Sequence, residues 1–359
     1  MRTTVVVVGG GYGGTAVAKA LDDVADVVLV EPRDLFVHNV AALRGLVDPE
    51  WTDRIFFPYD RLLERGRLVH DRVVHADATG VTVGSGQRID ADYLVLATGS
   101  GYPFPAKTEV DDSAEAKARL RTAREALLGA NDVLLLGAGP AGLELAGEIK
   151  AVWPGKPVTI VDPATEVLAE FPAEVRTELR RQLDELGVEL VLGDALGDTP
   201  PSQPGELKTF TATTRAGREI TADIWFRCFG VTPVSGYLNG DLAAARRPDG
   251  HVEVTPQLRI PGQERVFAVG DLTALPEGKL ARAAGDHAAV VAGNIRALIA
   301  GEGELATYEP AAPGIALPLG PAGGVTYTPE TGLLGAEQTS QIKGQDLAIG
   351  RFAETFGLA

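Results

Sequence analysis

Cysteine is almost absent from this sequence of 359 residues, and acidic residues outnumber basic ones. The one cysteine, Cys228, excludes a disulfide within the chain, a thiolate metal cluster and a redox pair of cysteines. Its neighbours Trp225, Phe226 and Phe229 favour a buried structural thiol over a reactive one. The net charge of -16 provides no general attraction for phosphate backbones or anionic lipid, so nucleic acid is not expected as a partner.

Long apolar runs and metal-ligand spacings are also missing from the sequence. No uninterrupted apolar stretch approaches the ~20 residues of a membrane span. The chain enters a strand-like valine run directly after Met-Arg-Thr-Thr, which leaves no room for a signal peptide or a myristoylation signal. The histidines have no metal-ligand spacing, and no nucleophile elbow is present. We therefore expect a cytoplasmic protein with no membrane span, no metal site and no hydrolase chemistry.

The first thirty residues predict a β-α-β unit with a dinucleotide motif. A β-branched run at 3–8 is followed by a G-x-G-x-x-G turn, an Ala-rich helical pattern through Leu21 and a second apolar run from Val27 to Val30. Glu31 closes that run, where its carboxylate would bind an adenosine ribose. Together these features favour nucleotide binding over a structural turn. The glycines expected to allow a tight turn, close pyrophosphate approach and close helix packing are, in order, Gly9, Gly11 and Gly14.

The same pattern returns in the middle of the chain. A strand at Val133 to Leu136 is followed by a Gly-rich turn, a helix from Leu143 to Trp153 and a strand at Val158 to Val161. Asp162 then stands where Glu31 stands in the first unit. It would bind a ribose 2′-hydroxyl and repel a 2′-phosphate, which favours NADH over NADPH unless Lys156 or a nearby arginine compensates. The glycines of this second motif are Gly137, Gly139 and Gly142.

The distance between the two motifs predicts separate domains. Tyr93 to Ala97 reads as a strand that leads into a proline-stiffened crossing, and Ile224 to Phe229 reads as a strand that ends at Gly230 before the chain returns. The expected fold is α/β, with two Rossmann-like dinucleotide-binding domains, the first interrupted by the second, and a small C-terminal region in which Val325-Thr326-Tyr327 resembles a strand. The bounds are 1–105 and 233–302 for the FAD-binding domain, 106–232 for the NAD(P)H-binding domain and 303–359 for the C-terminal region.

A third signal assigns the flavin to the first domain. Val266 to Val269 predicts a strand that ends in Gly270-Asp271, ahead of a helix from about Lys279 to Ala300. An acid at this position can bind a ribityl hydroxyl, whereas the simpler alternative is an ordinary turn. Combined with two dinucleotide units, the signal favours bound FAD with NADH or NADPH as co-substrate. A flavin accepts hydride from nicotinamide and releases electrons to another acceptor, so the architecture predicts an electron relay.

Several segments resemble the two-dinucleotide flavoprotein superfamily, which includes glutathione reductase, ferredoxin reductases and type II NADH dehydrogenases. More closely, the sequence is similar to its apoptosis-inducing-factor-homologous, mitochondrion-associated group, the ferroptosis-suppressor-protein-like flavoproteins. The segments that carry the resemblance are Phe36 to Arg44, Ala97 to Ser100 with Pro103 to Pro105, Glu144 to Lys150, and Gly270-Asp271.

The resemblance implies roles for particular residues. Glu144 would lie beside the nicotinamide, and Lys343 would be the group's C-terminal lysine near the flavin ring, where a cation stabilises developing negative charge. A solvated surface lysine is the alternative for Lys343. His38 would face the flavin or acceptor, or would be a satisfied loop histidine. The residues expected to contact FAD on this basis are Glu31, Arg44, Val73 and Asp271. Thr98, Gly99 and Gly230 are also counted among the cofactor-binding residues.

The resemblance also implies NAD(P)H:quinone oxidoreductase activity. The sequence lacks a lipidation signal and a basic amphipathic helix at its end, so a soluble acceptor is expected at least as strongly as a membrane quinone. The leading hypothesis is hydride transfer from NADH through FAD to a small, quinone-like acceptor. Two alternatives stay open: a flavoenzyme of specialised metabolism that uses oxygen or a dedicated partner, and an NADH-sensing flavoprotein with slow turnover. The oligomeric state is also open, with a homodimer as one option.

Overall fold

The aliphatic runs form two parallel sheets in the computed structural model, which describes residues 2–358. In the first sheet, the central residues Val5, Val6 and Val7 are fully buried. Parallel strands that are covered on both faces have continuous apolar runs rather than alternating ones, as this segment does. In spatial order, the five strands of the first sheet are Val266–Ala268, Tyr93–Leu96, Thr4–Val8, Asp26–Val30 and Arg67–Val69.

The second sheet has the same parallel character and four strands. Its last strand ends at Arg227, before the predicted limit of Phe229. The helix that follows its first strand begins at Pro140 rather than at Leu143, because proline is favoured in the first helical turn, where its missing N–H costs no hydrogen bond. In spatial order, the strands are Val188–Leu192, Val158–Asp162, Val133–Leu136 and Ile224–Arg227.

The first sheet is assembled from chain segments on both sides of the second. Strand Val266–Ala268 pairs in parallel with Tyr93–Leu96, although the whole second sheet lies between them in sequence. The chain passes between the sheets twice, and the two crossings, Ser100–Gly101 and Thr232–Pro233, pair with each other in antiparallel fashion. The expected α/β architecture, with one dinucleotide-type unit inserted into another, is confirmed.

Helices cover the sheets. The helix at Ala281–Ala300 packs along Tyr12–Leu21, and it ends at Gly301, whose φ of +78° suits the left-handed helix cap. The sequence predicts its start at about Lys279, but the backbone at Leu280 is still extended and the helix begins at Ala281. Over residues 2–358, no helix combines the length and apolar character that crossing a bilayer requires. The α-helices are Tyr12–Leu21, Ala42–Val47, Pro49–Arg54, Ser113–Gly129, Pro140–Val152, Ala173–Glu185, Gly240–Ala244, Ala281–Ala300, Ala336–Thr339 and Ile349–Thr355.

The remaining strands form small antiparallel sheets, one of which belongs to the C-terminal region. That sheet includes the expected strand around Val325, which spans Gly323–Thr328, and it packs against helix Pro140–Val152. A Cβ atom on Gly147 of that helix would lie 2.5 Å from Leu319 Cα, so the two backbones touch. The small sheets are Leu35–Val37 with Phe56–Pro58, Val73–Asp77 with Gly80–Val83 and Arg88–Asp90, Phe210–Thr213 with Glu219–Ala222, and Ile315–Leu319 with Gly323–Thr328 and Gly332–Leu334.

A buried ion pair joins three parts of the chain. The Arg44 guanidinium donates to both carboxylate oxygens of Glu148, at 3.0 and 2.7 Å, and both side chains are 4% exposed. Arg44 Nη1 also donates to the Gln345 carbonyl oxygen at 3.0 Å. Burial raises the pKa of Glu148, and Arg44 opposes that shift. The pair therefore connects the first domain, the helix at Pro140–Val152 and the C-terminal region.

We expect Glu148→Ala to lower the free energy of unfolding by about 3–5 kcal/mol, because it leaves the Arg44 charge buried without its partner. Denaturant unfolding followed by tryptophan fluorescence measures the change. Glu185→Ala, which removes the carboxylate of an exposed ion pair with Arg181, is the matched control and should cost about 0.5 kcal/mol or less. The double variant Arg44→Met with Glu148→Leu should recover much of the loss, and equal effects of Glu148→Ala and Glu185→Ala would contradict the assignment.

Candidate active site

The first and third glycines of both motifs are required by contacts within the protein. Gly9 and Gly137 have φ angles of +102° and +112°, in the region that favours glycine. A Cβ atom on Gly14 would lie 1.8 Å from the Gly9 carbonyl oxygen, and one on Gly142 would lie 2.0 Å from that of Gly137. The helix in each unit therefore packs directly on the turn before it, as the motif predicts.

The second glycine of each motif faces open space instead. A Cβ atom on Gly11 or on Gly139 would meet nothing within 4 Å. Each of these glycines is the N-cap of the helix that follows, and neither helix has a side-chain hydrogen bond at that end. Backbone N–H groups at the N-terminus of a helix bind phosphate groups. The two turns therefore fit the pyrophosphates of two dinucleotides.

Each acid at the end of the second strand is tied to the glycine turn beside it. Glu31, only 3% exposed, accepts hydrogen bonds from Gly10 N at 2.6 Å and from Arg33 N at 3.0 Å. Asp162 accepts from Ala138 N at 2.6 Å and from Ala164 N at 2.7 Å. A carboxylate has about four lone-pair sites, so capacity is left for a ribose hydroxyl. The two acids hold equivalent positions in the two units.

Lys156 cannot compensate a 2′-phosphate at Asp162. It lies two residues before strand Val158–Asp162, whereas Asp162 is the last residue of that strand. The strand alone, with four steps of about 3.3 Å, separates them by roughly 13 Å. Its ammonium donates to the Ala130 carbonyl oxygen and lies 5.6 Å from the centre of the Trp153 ring. Of the two compensating cations left open by the sequence, Lys156 is therefore excluded by its position, and a nearby arginine stays open.

Asp271 lies in a polar cluster at the crossing between the domains. It accepts from Ser100 Oγ at 2.6 Å and from Lys107 Nζ at 3.1 Å. Burial acts to raise the pKa of Asp271, but Lys107 and Ser100 hold it below its usual value. Thr98 and Gly99 lie on the same segment, with Thr98 donating to the Val234 carbonyl oxygen at 2.6 Å and Gly99 at a φ of +61°.

Lys107 was missed by sequence reasoning. It lies just after the proline-rich crossing and belongs to no motif, although it neutralises the acid that the Gly-Asp signal singled out.

The structure brings together the two residues assigned to the reaction centre. Lys343 Nζ donates to Glu144 Oε1 at 2.8 Å and to the Ala316 carbonyl oxygen at 3.1 Å. Its side chain is 22% exposed, so Lys343 is a paired residue rather than a solvated surface lysine. Glu144 lies one turn before Glu148 on helix Pro140–Val152, so the two acids face the C-terminal region together.

Three further residues predicted to bind a cofactor lie outside the contacts described so far in this site. Arg44 is occupied by Glu148 and Gln345, as described above, and Val73 is buried in a small antiparallel sheet opposite Val83. Gly230 has a φ of +105° at the end of the second sheet. Contacts of these residues with a cofactor stay predictions.

His38 is a satisfied, buried histidine. Because a carbonyl oxygen only accepts, Nε2 carries the proton and donates to the Leu347 carbonyl oxygen at 2.8 Å, and Nδ1 lies 3.1 Å from the Tyr12 hydroxyl. Burial lowers the pKa of His38 to about 4, so the ring is neutral near pH 7. Both ring nitrogens therefore have partners within the protein.

Cys228 is buried in the core of the second domain. Burial raises the pKa of its thiol to about 12, which removes the thiolate needed for redox chemistry. The prediction of a structural thiol agrees with this position.

Comparison with known proteins gives a consistent family. The family model described as pyridine nucleotide-disulphide oxidoreductase matches residues 3–288. The chain is 31% identical to apoptosis-inducing factor homolog B of Dictyostelium discoideum, over 98% of this chain and 96% of that protein. It is 32% identical to ferroptosis suppressor protein 1 of Taeniopygia guttata, over 98% of this chain and 95% of that protein.

Solved structures share the fold at lower identity. The sulfide:quinone oxidoreductase of Aquifex aeolicus has a TM-score of 0.77 at 19% identity, over 99% of this chain and 91% of that one. The NDH2 of Plasmodium falciparum in complex with NADH has a TM-score of 0.71 at 11% identity, over 95% and 93% of the two chains. These likenesses support the fold alone.

We expect Gly14→Ala and Gly11→Ala to have different effects. The Cβ atom of Gly14→Ala meets the Gly9 carbonyl oxygen, so this variant should lower the melting temperature of the cofactor-free protein by several degrees. The Cβ atom of Gly11→Ala meets nothing in the protein and should weaken FAD binding by about tenfold or more while the melting temperature changes little. Calorimetry and fluorescence titration with FAD measure the two effects. Unchanged FAD affinity in Gly11→Ala would contradict the assignment.

Proposed function

Because the chain belongs to the pyridine nucleotide-disulphide oxidoreductase family and is an FAD- and NAD(P)H-dependent oxidoreductase, we propose that it passes electrons from NADH to a small, quinone-like acceptor. The observation that carries the proposal is the contact of Lys343 with Glu144. It joins the helix that begins at the second dinucleotide motif to the C-terminal region.

The residues of the first domain hold and orient FAD in this proposal. The N–H groups at the start of helix Tyr12–Leu21 bind the pyrophosphate, and Glu31 binds the adenosine ribose. Asp271, ionised beside Lys107, accepts from a ribityl hydroxyl. When bound, FAD would supply the redox chemistry.

The second domain and the C-terminal region complete the reaction centre. Gly139 and the start of helix Pro140–Val152 bind the pyrophosphate of NADH, and Asp162 binds its ribose. The Lys343 ammonium, fixed by Glu144, stabilises negative charge that develops on reduction. The protein thus acts by positioning and electrostatics rather than through a side-chain nucleophile.

The lack of a cysteine pair and the names of related proteins support a quinone-like acceptor. With one buried cysteine, the chain cannot relay electrons through a pair of thiols, although the family's name refers to disulphides. The resemblance to the ferroptosis-suppressor-protein-like group implies a quinone, and the name of the sulfide:quinone oxidoreductase that shares the fold also contains one. A soluble quinone analogue is therefore the first acceptor to test.

Rapid anaerobic mixing of the FAD-loaded protein with NADH tests the proposal. We expect NADH to bleach the visible flavin absorption and a soluble quinone to restore it rapidly. The reason is that the glycines of both dinucleotide motifs have the contacts and open positions that the motif predicts. Bleaching that only oxygen reverses, with peroxide formed, would favour an oxidase. Bleaching that no acceptor reverses quickly, together with an NADH-dependent change in mass, would favour a sensor. No bleaching would defeat the proposal.

Asp162→Asn should shift nucleotide preference toward NADPH. Asparagine keeps one oxygen to accept from Ala138 N, gives up the acceptor for Ala164 N, and removes the charge that repels a 2′-phosphate. The ratio of kcat/KM for NADPH over NADH should rise about tenfold, as measured with a soluble quinone. The control Asp198→Asn removes an exposed acid of the same domain and should leave the ratio unchanged. An unchanged ratio in Asp162→Asn would show that Asp162 does not contact the ribose.

A further inference from the structure

A partly buried series of hydrogen bonds, centred on the buried His287, ends at the Gly-Asp turn of the predicted flavin site. Gly270 N donates to His287 Nδ1 at 2.9 Å, and His287 Nε2 lies 2.6 Å from Glu277 Oε1. The Tyr308 hydroxyl donates to Glu277 Oε2 at 2.6 Å. Gly270 directly precedes Asp271, so the hydrogen-bond series reaches the residue next to the one proposed to bind the ribityl chain.

The backbone determines which nitrogen of His287 carries the proton. A backbone N–H can only donate, so Nδ1 must be unprotonated to accept from Gly270 N. The proton is therefore on Nε2, which donates to Glu277. The ring is 1% exposed, and the Tyr308 ring contacts it edge-on with centroids 4.4 Å apart. The tautomer and the orientation of the ring are both held by its partners.

The turn needs this support because its backbone is unusual. Gly270 has a φ of +71°, and its carbonyl oxygen accepts from both Thr273 N and Thr273 Oγ1 at 3.0 Å. With His287 accepting from its N–H, both polar backbone groups of Gly270 are bonded. Loss of the His287 acceptor would leave the partly buried N–H of Gly270 without this partner, which destabilises the turn.

Tyr308, at the far end of the hydrogen-bond series, lies on the segment that leads into the C-terminal region. Tyr308 N donates to the Pro256 carbonyl oxygen at 2.7 Å. Asn294, on the same helix as His287, binds the backbone of Ala306 in both directions, at 2.8 and 3.0 Å. Glu277 and His287 thus lie between a fixed segment and the Gly270 turn.

We propose that His287, held by Glu277 and Tyr308, is a positioning residue that keeps the Gly270-Asp271 turn in the conformation that binds the flavin ribityl chain. The inference rests on the proposed function, because it takes the first domain as the flavin site. His287 acts through Gly270, from whose N–H it accepts a hydrogen bond, and no contact with the reacting groups is assigned to it.

Two substitutions test the hydrogen bonds of the two ring nitrogens of His287 separately. His287→Asn places an amide oxygen near the position of Nδ1, so it can still accept from Gly270 N, but it loses Glu277. His287→Gln places its amide group near Nε2, so it keeps Glu277 and loses Gly270 N. The FAD dissociation constant is measured by fluorescence titration of protein from which FAD has been removed, together with the visible circular dichroism of the bound flavin and the melting temperature without FAD.

We expect His287→Gln to raise the FAD dissociation constant about tenfold and to change the flavin circular dichroism, while His287→Asn stays within about threefold of the wild type. Equal weakening by both variants, in parallel with equal losses of melting temperature, would show a merely structural role and overturn the proposal. Wild-type affinity in His287→Gln would also overturn it. Failure of the proposed function differs from both results, since the wild-type protein itself would then bind no FAD or would fail to be reduced by NADH.

Discussion

The relation between the three parts of the molecule depends on the buried ion pair of Arg44 with Glu148. Arg44 belongs to the first domain, Glu148 to the helix that starts at the second dinucleotide motif, and Gln345, which also accepts from Arg44, to the C-terminal region. Charges removed from water are tolerated only with well-matched partners, so the three parts must keep this arrangement together. The pair therefore constrains where the two nucleotide sites lie relative to each other.

Helix Pro140–Val152 joins the predicted nucleotide site to the C-terminal region. Its first turn faces the predicted nucleotide site, while Glu144, Gly147 and Glu148 face the C-terminal region. The close approach at Gly147 permits Lys343 to reach Glu144, and the same face carries the acid that pairs with Arg44. One helix thus connects nucleotide binding at its end with the cationic side chain on its flank.

The parts of the fold that sequence reasoning predicted well are the two β-α-β units. In each, the contact that requires the third glycine is with the carbonyl of the first, only a few residues away, so the geometry is encoded locally. Helix ends were less accurate. Helix Pro140–Val152 begins earlier than expected and helix Ala281–Ala300 begins later, because cap geometry depends on single residues. Lys156 and Asp162 are close in sequence but lie at opposite ends of one strand, so they do not share a site.

By itself, the sequence determined the two glycine motifs, the acids that follow them and the absence of a cysteine pair, since these follow from neighbouring residues or from composition. The tertiary structure alone decided which distant side chains meet: Lys343 with Glu144, Lys107 with Asp271, and His287 with the turn at Gly270. Each of these contacts joins residues from different elements, often far apart in the chain. Their pairing depends on how buried faces pack and how buried polar groups find partners, which no local pattern records.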